Sequence, residues 1–517
     1  MSALKEMKNF GQVLRHTAKR LPDKIAMVCN GQRYSYKRFE EESNRIASAL
    51  EKSGVCPGDR IALLTHNCVE FIAIVFGCAK LGAIPVKLNW RLAPEELSYL
   101  IDFNDCKVMF YRYNNVKWHS QLHELLADKD MLFIGLDRTE RSTLCYEDFI
   151  ATGSSEYEIT FTDENAPLMH LHTSGSSGKP KTVVYSHRAF LNQLENCIDG
   201  LGFYEDMVFL SMSQMFHSAC VGLYACIAIG ARSVVFSRFD PQQYLKAIND
   251  EHITRVSAIP TVLQGLLNQP NLDEFNFSSV HTIGYSAAPM SPALIDKAIS
   301  YFHCGFMQSY GMTEMASIVT ILQPEDHIRD NYKHLYSVGK PIKDVELKII
   351  DQDGNELSAG KVGRIAIKGA GMMLGYYRQP EKTAQVIKNG WYISDDLGYL
   401  DEEGFLTLSG RVSDLIITGG ENVFAQEIEN LLMRQEDVEE CTVFGTPDEY
   451  WGEKVTACVV PKDGVSLSAE LIAQYCREHI AGFKVPKKII LADRLPRNTV
   501  GKIDKPKVIE LYTNKEK

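Results

Sequence analysis

Arg60-Ile-Ala-Leu-Leu64, the apolar helical pattern over residues 71–81, and Ala83-Ile-Pro-Val-Lys87 follow one another with only short turns between them. Two short apolar runs flanking one helix-length segment make a β-α-β unit, and neighbouring parallel strands need such a crossover. The rhythm returns at Lys107-Val-Met-Phe-Tyr111, Met131-Leu-Phe-Ile-Gly135 and Arg232-Ser-Val-Val-Phe236, each bounded by polar or glycine-containing turns. Parallel sheets covered by helices on both faces are therefore predicted. Over residues 345–410 the pattern changes to short strands with frequent turns: Glu346-Leu-Lys-Ile-Ile350, Gly363-Arg-Ile-Ala-Ile-Lys368 and Gly404-Phe-Leu-Thr-Leu-Ser409. That segment reads as antiparallel, a small barrel. Beyond Arg411, Glu440-Cys-Thr-Val-Phe-Gly445 and Thr456-Ala-Cys-Val-Val-Pro461 mark a small α+β tail. The expected division is a large domain over residues 1–412 and a small one over 413–517.

A chain of 517 residues exceeds what one hydrophobic core usually organises. Its apolar fraction of 45% and charged fraction of 23% are those of an ordered globular protein. A net charge of -11 gives no electrostatic footprint for nucleic acid. It also requires lysines and arginines to converge locally if a polyanion is bound. Thirteen cysteines without a CxxC pair or metal-ligand spacing read as reduced thiols, and with no export signal the expected location is cytoplasmic. The longest apolar run, residues 219–231, is too short to span a bilayer and is expected to be a buried helix.

Thr173-Ser-Gly-Ser-Ser-Gly-Lys-Pro-Lys181 packs hydroxyls, glycines and lysines into one loop after an apolar segment. Glycines let backbone N–H groups approach phosphate oxygens, hydroxyls add donors, and lysines add charge. On composition alone a surface turn is as good a reading. It is not a Walker loop, because only Ser176 and Ser177 separate Gly175 from Gly178 and Pro180 follows Lys179.

The loop resembles the signature of the adenylate-forming superfamily, which comprises acyl-CoA synthetases, peptide-synthetase adenylation domains and firefly luciferase. Four further stretches resemble that family's motifs in order: Tyr310-Gly-Met-Thr-Glu314, Ser394-Asp-Asp396 after Gly390-Trp391, Gly410-Arg411 with Gly419-Gly-Glu-Asn422, and Leu495-Pro-Arg-Asn-Thr-Val-Gly-Lys502. The resemblance implies a fold with two α/β sheet subdomains and a small antiparallel barrel in the large domain, followed by a mobile α+β lid.

It also implies roles. Thr173, Ser174, Gly175, Ser176, Ser177, Gly178, Lys179 and Lys181 would cradle ATP phosphates. Glu314 would hold Mg²⁺, a hard cation that prefers carboxylate oxygen, and Thr313 would contact phosphate. Tyr310 would stack on adenine beside Ser309, Gly311 and Met312, with Ala287, Ala288 and Pro289 forming the other wall. Asp396, preferred over Asp395 because Leu397-Gly398 follows it, would accept from the ribose hydroxyls, and Arg411 would assist. Lys502 would bridge substrate carboxylate and α-phosphate, and His217 joins it among the catalytic candidates. The lid would pivot at Ser413, where relatives carry Asp or Lys, and Gly419 and Gly420 would line a pantetheine tunnel. Read alone, Glu314 and Lys502 would be solvated charges, Tyr310 a packing residue and Arg411 a surface ion pair.

Within the superfamily, amino-acid-activating domains carry aspartate after a Phe where this chain has Phe216-His217, so a plain carboxylic acid fits better than an α-amino acid. The expected activity is ATP-dependent activation of the acid as acyl-AMP with pyrophosphate release, then transfer to the thiol of coenzyme A. Alternatives are loading of a carrier protein, luciferase-like oxidation, or nucleotide binding without catalysis. A homodimer is compatible with the resemblance. Gly311, where acetyl-CoA synthetases have tryptophan, together with Gly284 and with Met215, Phe216, Met290 and Met307, predicts a medium-to-long fatty or apolar aryl acid.

Overall fold

A computed structural model of the chain describes residues 2–112, 119–137, 144–173, 180–286, 290, 292–328, 333–419, 421–448, 450–498 and 502–513. The opening β-α-β unit is formed by strand Arg60–Leu64, helix Val69–Leu81 and strand Ile84–Lys87. The helix is buried along its length except at Glu70 and is largely apolar on every side, as a helix held between layers must be. Gly82 ends it in the left-handed conformation (φ +84°), and the Phe161 ring fills the space where a β-carbon would stand.

These strands belong to an eight-stranded sheet whose parallel centre joins Ile84–Lys87, Arg60–Leu64, Cys106–Tyr111 and Leu132–Gly135. Toward one end, strands Pro167–Thr173 and Lys181–Ser186 pair antiparallel, with Thr173 opposite Lys181. A nine-stranded sheet faces it. Ile25–Cys29, Arg232–Val235, Val208–Ser211, Arg255–Ala258, Thr282–Ser286 and Gly305–Tyr310 run parallel at its centre. Helices His187–Gly200 and Val221–Ile229 contribute to the core shared by both sheets.

Strand alternation gives the nine-stranded sheet two distinct faces. Phe209 and Met307 join the core shared with the eight-stranded sheet. Leu210, Val256, Ile283, Tyr285 and Phe306 enter a second core, with helices Pro241–Asp250, Pro260–Leu267 and Pro292–Phe302. The expected small barrel is an open five-stranded antiparallel sheet in which Trp391–Leu400 is flanked by Gly363–Gly369 and Leu406–Arg411. A 3₁₀ turn, Val412–Asp414, follows. The fourth sheet begins at Leu415 and has its own core around Ile428, Val443, Val455 and Ile472. Among the described residues, no helix is long and apolar enough to cross a membrane.

The C-terminal unit rests on the large one. Gln264 Nε2 donates to Glu439 Oε1 at 2.9 Å, and the Arg434 guanidinium lies 4.4 Å from the centre of the Tyr336 ring.

Candidate active site

Two sheets meet at Asp396, and Lys502 of the C-terminal unit acts on it electrostatically. Its backbone N–H donates to Ser394 Oγ at 3.2 Å, its Oδ2 accepts from the Tyr310 hydroxyl at 2.7 Å, and its Oδ1 accepts from Arg411 Nε at 3.1 Å. Tyr310 ends a strand of the nine-stranded sheet, while Asp396 and Arg411 are direct cross-strand partners on the antiparallel sheet. Asp395 is exposed and pairs instead with Arg364 at 3.2 Å. Adjacent strand residues point to opposite faces, so only one of these two carboxylates can look into the cleft.

Glu314 is buried in a short 3₁₀ turn just beyond Tyr310. Its Oε1 accepts from the Tyr376 hydroxyl at 2.9 Å. Burial raises its pKa, while the hydrogen bonds and Lys181 hold it down. Lys181 sits 5.1 Å from the Tyr376 ring centre, which places the start of strand Lys181–Ser186 beside this carboxylate. The Tyr185 hydroxyl donates to the Thr313 carbonyl. A buried carboxylate next to one lysine fits a Mg²⁺ ion that takes its remaining ligands from phosphate and water. Among the described residues, no group of three His, Cys, Asp or Glu could hold a metal unaided.

Lys502 reaches this cleft from the other side. Asn498 and Lys502 close a turn on each other, N–H to carbonyl at 2.8 Å and N–H to Asn498 Oδ1 at 3.0 Å, and Arg497 anchors its base on Glu440 at 2.9 Å. The Lys502 side chain keeps solvent access, yet surrounding protein and the neighbouring Arg411 lower its pKa, with Asp396 opposing them. His217 is likewise accessible but walled in. Desolvation, Lys502 and Lys87 lower its pKa to about 4, so its imidazole is neutral at physiological pH, and Nδ1 accepts from Ala219 N–H at 3.3 Å. Asp396, Arg411, Lys502 and His217 thus share one electrostatic neighbourhood, although they are scattered from residue 217 to residue 502.

Ser309 lies on the strand before Tyr310, and Met312 opens the turn that holds Thr313. Thr173 ends its strand opposite Lys181. Gly419 adopts φ +59°, and a β-carbon there would lie 2.9 Å from the Trp451 ring. Residues 174–179, Ala287, Ala288, Pro289 and Gly420 lie outside the described residues. So do the Ser413 side chain and its contacts, although its backbone belongs to the 3₁₀ turn after Arg411. Tyr376 escaped sequence reading, because nothing local marks it as the partner of a carboxylate 62 positions away.

The reading of Gly311 as an open gate to the acyl pocket is corrected by the backbone. A β-carbon there would stand 1.5 Å from the Ser317 carbonyl oxygen, because Ala316 (φ 52°) and Ser317 (φ 104°) fold the chain back on itself. Gly311 is therefore required by the backbone of that turn. Met290 also leaves the expected apolar wall, since it packs in the second core while Met215, Phe216 and Met307 pack in the first.

Residues 14–377 match the model of the AMP-binding enzyme family, and residues 427–502 match the AMP-binding enzyme C-terminal domain. The chain is 30% identical to a fatty acid–[acyl-carrier-protein] ligase, ScoC, of Streptomyces coeruleorubidus, covering 96% of this chain and 95% of that one. It is 32% identical to the indoleacetate–CoA ligase of Aromatoleum aromaticum, covering 96% of each. Its structure resembles that of the amide bond synthetase McbA from Marinactinospora thermotolerans, with a TM-score of 0.88 at 27% identity over 97% of this chain and 99% of that one. The chain belongs to the AMP-binding enzyme family, the adenylate-forming ligases.

Gly311→Ala should destabilise the protein by at least about 3 kcal/mol through backbone overlap, and Gly311→Trp should fail to fold rather than shorten the range of acids used. Thermal unfolding decides it: a tryptophan variant that melts like the wild type contradicts this role.

Proposed function

We propose that the protein is an AMP-forming acid–thiol ligase that activates a carboxylic acid as its acyl-adenylate and transfers the acyl group to coenzyme A. The observation that carries the reading is the arrival of Lys502, from the C-terminal unit, in the electrostatic field of Asp396 and Arg411. Attack of a carboxylate on the α-phosphate of ATP brings two anions together, so cations held in place before reaction do most of the work. In this reading Lys502 bridges the two anions and neutral His217 lines the acyl side without adding charge. Asp396 takes the ribose hydroxyls, exchanging one of its present donors for them, and Tyr310 offers its ring to adenine. Thr313 and the segment that begins at Thr173 and ends at Lys181 receive the phosphates. Mg²⁺, when bound, neutralises phosphate charge, and Glu314 is the carboxylate that would hold it.

For the thioester step Lys502 has to withdraw. We place the domain boundary between residues 412 and 413 and the pivot in the turn Val412–Asp414. Lys505 braces that turn from the lid, bonding Asp414 at 3.3 Å and Glu429 at 3.0 Å. The acceptor is proposed as coenzyme A because a CoA ligase is among the relatives. The carrier-protein ligase among the relatives makes a carrier thiol the alternative. The acid is a plain carboxylic acid whose body lies toward Met307.

Lys502→Ala should lower acid-dependent pyrophosphate release by at least on the order of 10²-fold, while sparing thioester formation from supplied acyl-adenylate. Pyrophosphate release near the wild-type rate would refute the assignment. The pH profile offers a second check. Lys502 must be protonated to act and its pKa is lowered, so the alkaline fall in adenylation should begin below the ordinary lysine value of about 10.4. Lys502→Arg should move that limb upward. An alkaline limb that Lys502→Arg leaves in place would assign it to another group.

A further inference from the structure

Along the inward face of the nine-stranded sheet a row of residues runs away from the cleft. Ser309 and Met307 share that face two positions apart, Met307 pairs with Gly284, Gly284 pairs with Ser257, and Arg255 stands two positions deeper than Ser257. Two residues of strand span about 6.6 Å. The Arg255 side chain curls back along this row, so that its Nη2 lies 3.6 Å from where a β-carbon on Gly284 would stand. Glycine at 284 therefore places no side chain between the guanidinium and the row that leads to the cleft.

Arg255 is 5% exposed. It donates from Nη1 to the Leu201 carbonyl and from Nη2 to the Met307 thioether at 3.2 Å, and it lies 5.1 Å from the Phe203 ring centre. Among the described residues, no carboxylate is within ion-pair distance of it. The acidic groups that act on it electrostatically are the thiol of Cys226 and the phenol of Tyr204, and burial lowers its pKa to about 10. A guanidinium has five N–H donors, and a thioether is a weak acceptor. A buried charge without a counter-charge is costly, because desolvation is not repaid. The Leu201 carbonyl closes the helix His187–Gly200, so part of the cost is offset by a cation at a helix C-terminus. The side turned to Gly284, at Nη2, has only the Met307 thioether, a weak acceptor.

We propose that Arg255 forms the floor of the acyl site and selects an acid whose far end carries a second carboxylate. This rests on the acid-adenylating reading above and deepens it. The substrate would place its reacting carboxylate near Lys502 and His217, lay its methylenes over Met307 and Gly284, and set the distal carboxylate against the guanidinium. A bidentate arginine–carboxylate pair in a site closed to water gives both affinity and a fixed chain length. An apolar acid of equal length would leave the charge unmatched.

The test compares initial rates of pyrophosphate release for succinate through suberate against butyrate through octanoate, using wild type, Arg255→Met and Gly284→Val. Wild type should favour at least one dicarboxylate over its monoacid partner by at least about tenfold in kcat/KM, the range of a hydrogen bond to a charged group. Arg255→Met should reverse that preference. Gly284→Val leaves the arginine's own bonds in place, so it remains informative if Arg255→Met misfolds. It should raise KM for the favoured dicarboxylate more than for short monoacids. Turnover confined to monoacids in the wild type, or equal loss of all acids in both variants, would leave Arg255 a helix-capping residue and overturn the proposal alone. No turnover of any acid would sink the adenylating reading and this one with it.

Discussion

The carboxylate of Asp396, gripped between the Tyr310 hydroxyl and the Arg411 guanidinium, is the junction on which the cleft depends. Tyr310 belongs to a parallel sheet, Asp396 and Arg411 to an antiparallel one, and the chain leaves Arg411 directly into the turn that leads to the lid. One charge-assisted cluster therefore registers two sheets against each other just before the chain enters the C-terminal unit. Hydrogen bonds to an ionised group are stronger than neutral ones, which suits a contact that must hold two separately folded layers. Lys502 senses the same pair of charges from the far side of the cleft.

The cleft also shows how an acidic protein prepares for a polyanion. The net charge is -11, yet Lys181, Arg411 and Lys502 converge where phosphates would lie. His217 is kept neutral by desolvation, with Lys502 and Lys87 adding to it. Glu314 is the exception, a buried carboxylate held beside a lysine and a tyrosine hydroxyl, the pattern expected where a metal is to be held.

Much of this was legible in the sequence, for a physical reason. The unit from Arg60 to Lys87 announces itself because its strand and helix periodicities are local. The antiparallel change after residue 345 is signalled by turns close to the strands they join. What could not be read is pairing across long chain distances. Ile25–Cys29 lies beside Arg232–Val235, with Met27 opposite Ser233, and nothing near either strand declares it. The partnership of Tyr376 with Glu314 is hidden in the same way. Gly311 misled for a different reason: a glycine in a motif can mark an empty pocket or a crowded turn, and only the position of Ser317 tells them apart. Arg255, in an otherwise ordinary apolar strand, looks like a surface residue until the helix end and the thioether that enclose it are known.

The most direct test of the account is isotope exchange between pyrophosphate and ATP in the absence of coenzyme A, with wild type and Asp396→Asn run over a panel of carboxylic acids. The account predicts exchange that requires an acid, does not require coenzyme A, and falls by at least about tenfold when Asp396 loses its charge. Exchange absent with every acid while ATP still binds, or undiminished in Asp396→Asn, would contradict it.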